Sequence, residues 1–97
     1  MAETKVVHNR ERLRYEVYSD GKLAGFTQYY RTGDRVVFTH TEIDNAFSGQ
    51  GLGKVLAAEA LDDVVENGKV IVPMCEFIAG YLKKTDKYDG HVQAPGR

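Results

Sequence analysis

One change of hydrophobic period constrains this chain more than any other feature. Up to about residue 43 the apolar residues keep the two-residue beat of strands, and from about residue 51 they keep the beat of a helix. Leu13, Tyr15 and Val17 alternate with Arg14, Glu16 and Tyr18, the pattern of a strand with one buried face. Asp20-Gly21 supplies a hairpin turn, because glycine tolerates the positive φ such turns need. A second run, Leu23 to Tyr30, ends at the turn cluster Arg31-Thr32-Gly33-Asp34, and a third, Arg35 to Ile43, is dense in β-branched and aromatic residues. Two short connections in succession imply three antiparallel neighbours. Lys5 to His8 adds a short edge strand ahead of them.

Beyond the switch, Leu56, Ala57, Ala60, Leu61 and Val64 share one helical face, with Glu59, Asp62, Asp63 and Glu66 opposite. The spacing predicts a helix over Gly51 to Asn67 with Gly68 as a left-handed cap. Lys69 to Val72 reads as a short strand stopped by Pro73, and Phe77, Ile78, Tyr81 and Leu82 as a second helix from about Cys75 to Lys84. Strand, helix, strand in that order favours a right-handed crossover, which makes the last strand parallel to the third run or a near neighbour. The fold class is therefore α+β: an antiparallel meander, a strand-helix-strand crossover and a short C-terminal helix. All 97 residues form one domain, with the tail from Gly90 onward, including Ala94-Pro95-Gly96, expected to be loose.

Charge and cysteine usage narrow the function classes. Thirteen Lys and Arg against fourteen Asp and Glu give a net charge of −1, which excludes a generally basic nucleic-acid coat. No apolar run is long enough for a membrane span or a secretory leader, and a cytoplasmic protein is expected. One cysteine makes no internal disulfide, and with three scattered histidines it builds no metal site.

The chemistry-bearing segment is Ser48-Gly49-Gln50-Gly51-Leu52-Gly53-Lys54, between a strand and a helix. Its glycines let backbone approach a ligand, and the unpaired N–H groups opening the helix suit a phosphate or pyrophosphate. A Walker A loop fails on spacing: its first glycine would fall on Ser48, and Val55 replaces the magnesium-binding Ser or Thr. The dinucleotide fingerprint fails too, its third glycine being displaced by Lys54 or Leu56. A plain strand-helix connector is the competing reading. In sheets that pass into a parallel crossover, ligands sit at the carboxyl ends of the strands, which here are Asn45 to Lys54 and Pro73 to Glu76.

Phe38-Thr39-His40-Thr41-Glu42-Ile43, the glycine turn, and Val70-Ile71-Val72-Pro73-Met74-Cys75 together resemble the small stand-alone branch of the Gcn5-related N-acetyltransferase superfamily, typified by the bacterial YjdJ-like proteins. The resemblance runs from the first strand to about Tyr88. The superfamily's turn, Gln/Arg-x-x-Gly-x-Gly/Ala, maps onto Ser48 to Gly53 with both terminal glycines matched and Ser48 where Gln or Arg is usual. The resemblance implies a GNAT-like mixed sheet and acetyl coenzyme A as co-substrate, with no metal. It puts the pyrophosphate on the amides of Gln50, Gly51, Leu52, Gly53 and Lys54, and the pantetheine beside the backbone of Glu42 and Ile43. Ser48 and Gly49 complete the implied cofactor-binding set.

Three residues are candidates for the reaction. Cys75 is expected at a helix start, where unpaired N–H groups favour a thiolate, and the resemblance puts a suspected catalytic cysteine or acetyl acceptor there. His40 and Glu42 share a strand face, with Thr39 and Thr41 on the other, and either can relay a proton from an incoming amine. Tyr81 and Tyr88 are possible proton donors to the departing thiolate. Lys83, Lys84 and Lys87 form a basic cluster that either meets the coenzyme's 3′-phosphate or is simply solvated. His8 and His91 receive no role. Only Asn9-Arg10-Glu11-Arg12 separates the first two strands, which leaves no room for the helix pair that builds the acceptor pocket in larger relatives. An open acceptor site for a small amine or a protein or peptide amine follows, on a monomer or weak homodimer. The rival function is a coenzyme A binding or interaction module without catalysis.

Overall fold

The computed structural model describes residues 3–94 and contains a five-stranded mixed sheet with two α-helices. The strands are β1 (Thr4–Asn9), β2 (Arg14–Ser19), β3 (Lys22–Thr32), β4 (Arg35–Ile43) and β5 (Val70–Pro73), and they lie side by side in chain order. The first four are antiparallel neighbours, and β5 is parallel to β4. Helix α1 (Leu52–Glu66) makes the crossover between β4 and β5, and α2 (Glu76–Leu82) follows β5. The β2–β3 hairpin closes at Asp20-Gly21, both at positive φ, which matches the right-handed twist of the flanking strands.

The core lies between the sheet and the helices. Tyr15, Val17, Tyr29, Val36 and Phe38 of the sheet meet Leu56, Ala57, Ala60, Leu61 and Val64 of α1, the helical stripe read from the sequence. Ile71 and Ile78 extend that cluster from β5 and α2. Each of the larger side chains gains about 1.5–3 kcal/mol by burial, which fixes α1 against the sheet and so fixes where its N-terminus points.

Two expectations are corrected. Leu13 is outside β2, at φ +53 and 43% exposed, because its carbonyl turns back to accept Tyr29 N–H at 3.0 Å. Glu16, expected on a wet face, is only 4% exposed. Arg14 Nε, Tyr18 Oη and Asn9 Nδ2 all donate to its carboxylate, at 2.7, 2.8 and 3.2 Å, so burial leaves no oxygen unpaired. In the described part of the tail, Gln93 N–H donates to Ile71 O at 2.9 Å and Val92 bridges Ile71. Its last expected positions, Pro95 and Gly96, lie outside the described residues.

Candidate functional site

Two irregularities open a site at the carboxyl end of β4. In the β3–β4 register Gln28 faces His40 while the next residue, Tyr29, faces Phe38, so Thr39 is an extra residue, a β-bulge. On its other edge β4 pairs with β5 only from Arg35 to Phe38, and Phe38 O accepts the N–H groups of both Met74 and Cys75 as the chain leaves β5. From Thr39 to Ile43, β4 runs on past the end of β5. A strand edge without a neighbour offers backbone donors and acceptors to a ligand.

The glycine turn stands beside that edge. Asp44 caps a short 3₁₀ turn (Asn45–Phe47) by accepting Ala46 N–H at 2.8 Å, which carries the chain from β4 to α1. Gly51 caps α1 at φ +73, a conformation costing an L side chain about 1–2 kcal/mol, and no side chain caps the helix there. The amides of the first turn therefore keep their hydrogen-bonding capacity and the positive end of the helix. A Cβ at Gly49 or Gly51 would meet nothing within 4 Å, so the turn is open on its outer side. These features fit a pyrophosphate. Gly53 differs: its Cβ would lie 2.6 Å from Phe77 Cζ, so this glycine lets α2 pack onto the start of α1. Ser48 does not reach outward, since its hydroxyl donates to Asn45 O at 3.0 Å.

The bulge also decides which reactive side chains meet. Glu42 and His40 share the sheet face away from Tyr29 and Phe38, each about 60% exposed, with Glu42 Oε2 3.6 Å from His40 Nε2. Thr41 is on the other face, and there it meets Cys75, Oγ1 to Sγ at 3.3 Å. Thr41 also shares a hydrogen bond of 2.8 Å with Thr27, which is fully buried. The three candidates thus divide, His40 with Glu42 on one face and Cys75 with two threonines on the other. Thr39 is exposed and does not accompany Thr41, because the bulge breaks the alternation. Thr27, and the contact of Thr41 with Cys75, are not legible in the sequence, where β-branched residues in strands carry no chemical signal.

The remaining candidates have structural duties. Tyr88 is buried and its hydroxyl donates to Asp62 at 2.6 Å; burial first, then that carboxylate, pushes its titration far up. Lys87 Nζ is paired with Asp62 Oδ1 at 2.9 Å, which leaves Lys83 and Lys84 of the basic cluster. Tyr81 is partly buried against the core. Among the described residues no group of three His, Cys, Asp or Glu is arranged to hold a metal ion, and no helix is long and apolar enough to cross a membrane.

Comparison with known proteins places this geometry. The chain is 35% identical to protein NATD1 of Mus musculus over 82 residues, 82% of this chain and 74% of that protein. It is 34% identical to protein NATD1 of Gallus gallus over 93 residues, covering 92% and 84% respectively. In fold it matches the solution structure of a GCN5-like putative N-acetyltransferase from Staphylococcus aureus, with a TM-score of 0.72 at 20% identity over 97% of this chain and 92% of that one. The ribosomal-protein-S18-alanine N-acetyltransferase of Escherichia coli aligns with a TM-score of 0.58 at 25% identity, over 63% of this chain and 41% of its own. Residues 14–91, which span the meander, the glycine turn, the crossover and α2, match the family described as GCN5-related N-acetyl-transferase, and the chain belongs to that family.

Proposed function

We propose that this protein binds acetyl coenzyme A along the free edge of β4 and transfers the acetyl group to an amine by direct attack. The observation that carries the reading is the juxtaposition of two unpartnered backbone surfaces: the overhang of β4 past β5, and the uncapped amides at the start of α1. The amides of Leu52, Gly53 and Lys54 face the pyrophosphate, and the β4 backbone at Glu42 and Ile43 accompanies the pantetheine. Family membership supports acetyl transfer in general, and the short Pro73-Met74-Cys75 ending supports the small YjdJ-like branch within it.

Glu42 takes a proton from the acceptor ammonium, directly or through water, with His40 as its neighbour in the relay. The amine lone pair then forms a bond to the thioester carbonyl carbon. Collapse of the oxyanion breaks the carbon–sulfur bond, the nitrogen gives up its second proton to solvent, and the coenzyme thiolate leaves and takes up a proton, giving the amide and free coenzyme A. Cys75, held by Thr41, donates that proton at most and is not itself acylated. The shallow exposure of His40 and Glu42 suits a small amine or an exposed peptide amine.

Calorimetric titration with acetyl coenzyme A tests binding, and acceptor-dependent release of coenzyme A thiol tests transfer. A panel of polyamines, amino acids and lysine peptides should release thiol faster than hydrolysis alone. Binding without acceptor-dependent release would establish the binding module instead. A stoichiometric acetyl adduct on Cys75 that later passes to an amine would replace direct attack by two half-reactions.

A further inference from the structure

We infer that the far end of α1 forms a second binding site, for a small oxyanion, in a cavity walled by Arg10, Arg31 and Lys69. The cavity holds about 230 Å³, less than a drug-sized pocket and enough for a small metabolite. His8, Tyr15 and Tyr29 floor it, and Asp63 is its one carboxylate. It is remote from the glycine turn: Asp63 lies eleven residues along α1 from Leu52, about 16 Å at the helical rise.

Charge selects the ligand. Three cations line the cavity against one carboxylate, and among the described residues none of the three is in an ion pair. Asp63 is already engaged, accepting the Tyr15 hydroxyl at 2.7 Å. The structural alternative is that the cations serve the negative end of α1. Three of its last four carbonyls are already partnered: Asp63 O accepts Asn67 N–H, Val64 O accepts Lys69 N–H and Val65 O accepts Gly68 N–H. The cations are therefore left over from the fold's own hydrogen bonding.

The floor is rigid, as a site's floor must be. His8 stacks on Tyr15 with ring centroids 4.0 Å apart, and its Nε2 shares a 2.6 Å hydrogen bond with Tyr29 Oη. Nδ1 is shut off from solvent without a hydrogen-bond partner, with Asp63 Oδ2 standing 3.4 Å away. Burial pulls the His8 titration below its ordinary 6.5 despite Asp63, so the ring is neutral at pH 7 and the cavity keeps its excess of two positive charges. A bound oxyanion adds the missing negative charge, stabilises the protonated ring and raises its titration point. Carboxylates and phosphates share this chemistry.

The test is a ¹⁵N chemical-shift titration of the full chain with inorganic phosphate and, separately, with succinate, against sodium chloride of matched ionic strength. Saturable shifts at Arg10, Arg31, Lys69 and Asn67, complete by about 10 mM, are expected, with a midpoint separate from that of any shifts phosphate produces at Leu52 to Lys54. The stronger arm identifies phosphate or carboxylate as the preferred group. Arg31→Gln combined with Lys69→Gln should weaken binding about tenfold or more, and the His8 ring should titrate higher with the anion present than without it. Shifts no larger than those with chloride, or equal affinity in the double variant, would overturn the site. So would an unmoved His8 titration at saturation. Because no coenzyme A is present, these outcomes are independent of acetyl transfer.

Discussion

Gly53 is the position where a ligand-binding reading and a packing reading of the glycine turn part company. A Cβ there would lie 2.6 Å from Phe77 Cζ and 3.0 Å from Cε1, whereas carbon atoms rest at about 3.5–4.0 Å. The Phe77 ring must retreat by roughly 1 Å, and it has room to do so because it is 39% exposed. Displacing a packed ring costs about 1–3 kcal/mol. Alanine returns up to about 1 kcal/mol of helix propensity over glycine. Gly53→Ala should therefore destabilise by about 0–2 kcal/mol net in the native background. With Phe77→Ala already in place the clash is gone, and the same change should stabilise by up to about 1 kcal/mol. The coupling between the two positions is then about 1–3 kcal/mol, read from urea unfolding of the four proteins provided their m values agree. An equal effect of Gly53→Ala in both backgrounds would refute the packing argument. Acetyl coenzyme A affinity gives the second readout. If the double variant binds as well as Phe77→Ala alone, Gly53 serves α2; a selective loss shows that the ligand itself needs the bare backbone.

Other expectations are as specific. Burial pushes the Glu16 carboxyl up, but the hydrogen bonds from Arg14, Tyr18 and Asn9 outweigh it and hold it below its ordinary 4.5. Its contribution is thus full above pH 4.5 and is lost as the pH falls through the lowered value, so Glu16→Gln should flatten the acid limb of thermal stability; an unchanged limb contradicts this. Thr41→Val strands the fully buried Thr27 hydroxyl and should cost about 1–3 kcal/mol in urea unfolding, much of it recovered by adding Thr27→Val. If the second change recovers nothing, the hydroxyl pair is not what the site loses. Tyr88→Phe removes a hydrogen bond to a carboxylate and should cost about 1.5–3 kcal/mol while leaving the rate of thiol release intact. A large fall in that rate would return Tyr88 to the reaction.

What was legible in the sequence is what depends on period and composition. The alternation at Tyr15 and Val17, the stripe from Leu56 to Val64 and the turn at Asp20-Gly21 each report a local energetic preference, and local preference agrees with the fold in all three places. The glycine turn could be read because φ +73 at Gly51 and an uncapped helix start demand a particular residue type. The clash that requires Gly53 could not. It depends on Phe77, twenty-four positions away, and a glycine needed for long-range packing has the same letter as one needed for a turn. His8 shows the converse: a histidine near the chain end carried no signal, yet it stacks on Tyr15 and bonds Tyr29 across the sheet.

The division of His40 and Glu42 from Cys75 turns on Thr39, the extra residue of the bulge. Side chains alternate with period two only while the ladder is regular, so one inserted residue resets every face beyond it. Were Thr39 an ordinary ladder residue instead, Phe38 in the core would put His40 and Glu42 on the core face and turn Thr41 away from Cys75. That arrangement would bury an imidazole and a carboxylate against Tyr29 and Ile78 with no partners in the apolar core, at several kcal/mol for the charged forms. The bulge instead delivers the titratable pair to solvent, where protons exchange freely, and turns a hydroxyl toward the thiol. The same irregularity coincides with the end of β4–β5 pairing after Phe38, so the strand edge opens for a ligand where the faces are reset. Deleting Thr39 should therefore regularise the ladder while leaving Gln28 opposite His40 and Tyr29 opposite Phe38. His40 and Glu42 should stay exposed with Thr41 on the core face, and a shortened chain that stayed folded with His40 and Glu42 buried would show that Thr39 is not the extra residue.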